Sequence, residues 1–201
     1  MIQRRLVAPN YAYPSGADAG VLGSGDGSFP VLTYAEYCFI RADLAARSIA
    51  GTDAEGWYNK GVTASIEFYN DRAASTKIRD YTPVTPTAIS TYLAMPDIAY
   101  NPAKATEQIA TQAFLEFFRQ PSEAWAWWKR TGFPNTSSVL PWDELKLNGN
   151  VLTIPRRAPL FLKLPTDPNY ANQKAAYDDM ATDPGFGAPD DPSGRVWWDK
   201  N

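Results

Sequence analysis

The 201-residue sequence contains no histidine. That absence removes the commonest general base, the usual activator of a serine or cysteine nucleophile, and the commonest zinc ligand. A single cysteine, Cys38, excludes an intrachain disulfide and cannot alone build a thiolate metal cluster. No run approaches the ~18–20 consecutive apolar residues of a membrane span. "MIQRR" opens like the basic start of a signal peptide, but "LVAPNYAYPSGADAG" holds no apolar core, so the expectation is a chain without an export signal. A basic stripe is missing too. The net charge is −3, and the pairs Arg4–Arg5 and Arg156–Arg157 make no patch able to neutralise phosphates, which argues against nucleic acid as the main partner. Carboxylate pairs of the glycosidase kind remain chemically open, but none stands out, so no catalytic residue and no cofactor or metal is assigned.

Aromatic residues and proline are abundant instead. Aromatics make up 13% of the chain, and most of its seventeen prolines lie in the second half, which predicts helices joined by long irregular segments. Residues 1–32 are rich in Gly, Ser, Pro and Asp and read as irregular. Then "TYAEYCFIRADLAARS" opens with Thr33 and Glu36 at capping-box spacing. Ala35, Cys38, Phe39, Ala42, Ala45, Ala46 and Ile49 follow on one helical face, and its alanines invite close approach by a second helix. In "TDAEGWYNKGVTASIEFYND", Thr52 or Asp53 caps a helix with Trp57, Tyr58, Gly61, Val62, Ser65, Phe68 and Tyr69 on one face. The short link predicts an antiparallel hairpin of the tetratricopeptide type.

Thr85 and Pro86 start another helix, and one after Pro102 carries Ile109, Ala110, Ala113, Phe114, Phe117 and Phe118. Ser122 is placed to recap the chain after Pro121, and Gly132 to end the next helix. "LKLNGNVLTIP" carries a hairpin signal, and "DPNYANQKAAYDDMA" one more helix. The expectation is a mainly α fold: a tetratricopeptide-like helical hairpin, further packed helices, a long irregular C-terminal segment and one small β-hairpin. Residues 33–201 are read as a single α domain.

Six segments carry a resemblance: "LTYAEYCFIRADLAARS", "AEGWYNKGVTASIEFY", "EQIATQAFLEFF", "SEAWAWWKRTGFP", "IPRRAPLFLKLPTDPNYANQKA" and the terminal "RVWWD". In this order they resemble the C-terminal portion of SusD/RagB-type outer-membrane nutrient-binding lipoproteins. The resemblance implies a surface-exposed, non-catalytic subunit that binds glycan or other nutrient oligomers beside a SusC-type TonB-dependent transporter. Members are usually more than twice this length and begin with a lipidated cysteine. Cys38 lies within a helix and cannot be that anchor, so the chain is expected to be a truncated form, with exposed helix faces that favour dimerisation. A helical module that grips a peptide or partner helix is the alternative reading.

Within "EAWAWWKRTGFP", Trp125 and Trp128 share one side, while Trp127 lies roughly 160° from Trp125. The three cannot form one platform. Trp125 and Trp128 are assigned to the core, leaving Trp127 as a candidate carbohydrate contact. Trp142, Tyr170 and Tyr81 join it, because flat aromatic faces on irregular segments suit sugars. Arg156 and Arg157 are expected to tie the C-terminal segment to helix carboxylates. The aspartates of "DPGFGAPDD" lack the spacing of a calcium loop, and Trp197–Trp198 are expected to pin the terminus.

Overall fold

The computed structural model describes residues 8, 10–17, 19–76, 78, 81–140, 146–151, 154–196 and 199. The chain divides into two compact units, Met1–Leu140 and Pro141–Asn201. Six α-helices and one two-stranded sheet lie among the described residues, the mainly α fold that the sequence predicts.

In the first unit, helix α1 (Tyr34–Ala46) starts at Thr33, whose hydroxyl oxygen accepts the Glu36 N–H at 3.0 Å. Helix α2 (Ala54–Ser75) starts at Asp53, with the Gly56 N–H donating to its carboxylate at 2.9 Å. The small-residue face works as predicted: Ala35, Cys38, Phe39 and Ala42 are buried on α1 against Tyr58, Gly61 and Val62 of α2. A Cβ at Gly61 would sit 2.7 Å from Cε1 of Phe39, so this crossing needs glycine. Ile49 departs from the predicted stripe. The helix ends at Ala46, and Ile49 is exposed in the turn that follows.

Helix α3 (Pro86–Leu93) takes its cap from Thr85 and its first residue from Pro86, as predicted. Helix α4 (Ala105–Glu116) is the centre of the unit. Its Ile109, Ala110 and Ala113 join Phe39, Tyr58, Phe117 and Trp127 in one apolar cluster. Burial on several sides takes in polar residues as well. Gln108 is satisfied there by accepting the Asn101 N–H at 2.8 Å and donating to the Ala99 carbonyl at 2.9 Å. After a 3₁₀ turn (Phe117–Arg119) comes helix α5 (Pro121–Thr131). Pro121 opens α5 as its first residue, so Ser122 does not recap it. Gly132, at φ 74°, ends it with an N–H bonded to the Trp128 carbonyl at 2.8 Å.

In the second unit, strands β1 (Lys146–Leu147) and β2 (Asn150–Val151) pair antiparallel. Asn148 and Gly149 both have positive φ, the combination a two-residue primed turn requires. Helix α6 (Tyr170–Met180) follows, and the other described residues of this unit are irregular. No helix among the described residues is long and apolar enough to cross a membrane.

Candidate functional site

The structure reverses the assignment of the tryptophans on α5. Trp127 is 8% exposed, with its ring 6.1 Å from that of Phe117 and the Arg130 guanidinium 4.7 Å over it. Trp125 is 37% exposed and Trp128 half-buried. Helical angles fix that Trp125 and Trp127 oppose each other, but not which of them faces in. Phe117 and the Asp43–Arg130 ion pair (3.1 Å) decide that. Trp127 therefore offers no open face to a sugar, and its reading as a contact is corrected to a core role.

Tyr81 is half-buried, and its hydroxyl donates to the Asn70 carbonyl at 2.8 Å, pinning the segment before α3 onto α2. Tyr170, half-buried, is the first residue of α6 rather than part of an irregular segment. Trp142 lies outside the described residues, as do Trp197 and Trp198. Arg156 and Arg157 hold the C-terminal segment, but through that segment itself, which corrects the expected helix carboxylates. Arg156 makes a two-pronged pair with Asp199, and Arg157 donates to the Ala188 and Asp191 carbonyls. Asp183 and Asp191 accept backbone N–H groups two residues on, which spends them on local turns. No group of three His, Cys, Asp or Glu side chains placed to hold a metal occurs among the described residues.

The most exposed aromatic grouping on the hairpin lies where α1 begins. Tyr34 is 61% exposed and stacks on Tyr37, with centroids 6.1 Å apart and planes at 24°. Tyr37 meets the Trp57 ring edge-on at 5.8 Å. The Arg41 guanidinium and the Lys60 ammonium each lie 4.6 Å from the Trp57 ring centre. Arg41 also donates to the Tyr37 hydroxyl at 2.8 Å, which fixes that ring. An open groove of about 310 Å³ runs beside this array, lined by Tyr34, Asn59, Lys60, Thr63, Ala64 and Glu67. The sequence did carry a signal for it. Tyr34, Tyr37 and Ile40 recur every third residue on the side of α1 away from the alanine stripe, where a plain amphipathic helix would be polar.

Behind the array, burial pushes the Cys38 thiol above its usual pKa, so Cys38 is not a reactive thiolate. Two buried carboxylates, Glu36 and Glu116, lie close to one another below Thr33. Desolvation raises the pKa of each, with Glu123 and Glu116 adding to the shift of Glu36. Neither lines the groove, so they form no pair across a cleft of the glycosidase kind.

Residues 15–159 match the family model for SusD-like proteins, described as starch-binding and associating with the outer membrane. Solved structures align with similar geometry. A Bacteroidetes SusD-like protein is 24% identical over 98% of this chain and 36% of its own, with a TM-score of 0.58. A chitin-binding protein is 28% identical over 84% of this chain and 33% of its own, with a TM-score of 0.52. A SusD homologue from Bacteroides fragilis is 25% identical over 83% and 34%, with a TM-score of 0.56. The chain thus spans about a third of the length of these solved relatives. No curated protein matches it significantly in sequence.

Proposed function

The chain belongs to the SusD-like family, and we propose from that premise that it serves in non-catalytic binding of glycan or other nutrient oligomers at the outer-membrane surface. The observation that carries this reading is the family match over residues 15–159, which takes in the first unit from before α1 to the end of α5. The absence of histidine from the sequence and the burial of the close carboxylate pair agree with binding without turnover. The partner is a SusC-type TonB-dependent transporter, to which bound oligomer is handed on. Tyr170 and Trp142 remain candidate contacts, whereas Tyr81 and Trp127 are given packing roles.

The test is a titration of the purified chain against a panel of oligosaccharides, with chromatography of the ligand afterwards. Saturable binding with no shortened products is expected, together with co-purification of a co-expressed SusC-type transporter. Absence of binding across the panel, alongside retention of a peptide or helical partner in pull-downs, would replace this reading by that of an interaction module.

A further inference from the structure

We infer that the groove between the start of α1 and the middle of α2 is a subsite for an uncharged pyranose oligosaccharide, with Tyr34 as its stacking face. The inference rests on the glycan-binding reading above and gives it a location. Tyr34 presents the most exposed ring of the array, and its stack on Tyr37 holds that ring at a fixed angle at little entropic cost. Across from it, Asn59, Lys60, Thr63 and Glu67 recur along one face of α2 and line the same groove. None of these four side chains makes a hydrogen bond or an ion pair to another described residue. Lys60 lies over the Trp57 ring, 4.6 Å from its centre.

A planar amide, a hydroxyl, an ammonium and a carboxylate are thus uncommitted in front of a flat apolar surface. Sugar rings need that combination: apolar C–H faces for the aromatic ring, and vicinal hydroxyls that both donate and accept. The groove volume lies at the lower end of the roughly 300–1,000 Å³ of small-molecule sites, room for one or two rings with the rest of a chain extending outward. Charge selects among sugars. Among the side chains that line the groove, Lys60 and Glu67 bring one charge of each sign, so the lining itself offers no net positive charge to favour acidic glycans.

The experiment is isothermal titration of the whole chain with maltohexaose, chitohexaose and an oligogalacturonate, repeated for Tyr34→Ala and Asn59→Ala. Tyr34 is mostly exposed, so its variant keeps the fold, checked by circular dichroism. A neutral oligosaccharide is expected to bind, and each substitution to weaken it about tenfold, ~1.4 kcal/mol. Wild-type affinity in both variants would overturn the subsite while leaving glycan binding intact. Preference for the oligogalacturonate would overturn the uncharged class, and no binding by wild type would remove the subsite together with the reading it rests on.

Discussion

The Thr33 hydroxyl donates to Oε1 of Glu116 at 2.7 Å while accepting the Glu36 N–H, so the cap of α1 is held by the last residue of α4. Glu116 is fully buried, and its Oε2, like that of Glu36, lacks a hydrogen-bond partner of good geometry among the described residues. Both carboxyls have pKa values raised by burial, so in the native state they bind protons more tightly than in the unfolded chain. Stability is then full below the ordinary carboxylate range and falls as pH rises through the raised native values. Urea midpoints taken from pH 4 to 8 should decline. Glu116→Gln, which keeps an oxygen for Thr33, should flatten the decline and raise neutral-pH stability by about 1–2 kcal/mol. A midpoint that rises with pH in wild type would contradict this.

Gly61 is the tightest point of the helical hairpin. Alanine there would gain up to ~1 kcal/mol of helix propensity. Against that, its Cβ would press on Cε1 and Cδ1 of Phe39 at 2.7 and 2.8 Å, and that ring is fully buried. Overpacking costs roughly 1–3 kcal/mol, so the contact outweighs the propensity. Gly61→Ala should lower Tm, and Phe39→Leu in the same chain should restore part of the loss. A Gly61→Ala variant as stable as wild type would show that α1 and α2 can separate freely.

Trp127 and Trp125 should part sharply in stability measurements. Trp127→Ala removes a buried ring seated on Phe117 and should cost about 3–5 kcal/mol. Trp125→Ala removes a ring that is over a third exposed and pairs with Lys129 at 4.0 Å, and should cost under about 1.5 kcal/mol. Equal costs in denaturant titrations would return α5 to the orientation read from the sequence.

That pair also shows what the sequence reveals and where it stops. Periodicity and capping are local, so the helices, the Thr85 and Gly132 boundaries and a hairpin within 146–151 were legible, with Asp53 as one of two caps the sequence offered for α2. Which side of α5 faces inward depends on partners outside that helix: Phe117 in the 3₁₀ turn after α4 and Asp43 on α1. The burial of Glu116 has the same origin, since a glutamate on a helix reads as solvated until Thr33 is brought beside it. The groove went unread for a related reason. Tyr34 belongs to a predicted helix, whereas aromatic faces open to sugars are expected on irregular segments.

In the second unit the irregular C-terminal segment should depend on Arg156 and Asp199. The guanidinium meets the carboxylate through Nε at 2.9 Å and Nη2 at 2.7 Å, and the Asp199 side chain is only 5% exposed. Charged hydrogen bonds of this kind contribute about 1.5–3 kcal/mol. Next to it, Arg157 donates to the carbonyls of Ala188, Pro189 and Asp191 and packs 3.6 Å over the Phe186 ring, closing the loop around Gly194. Asp199→Ala removes the first clamp and leaves the second, so the segment should open locally while α6 persists. Where reclosing is fast, cleavage tracks the open population, so trypsin should cut after Arg195 roughly tenfold or more faster in the variant. Mass spectrometry of the digest identifies the site. Cleavage at the wild-type rate would mean that Arg157 alone holds the segment.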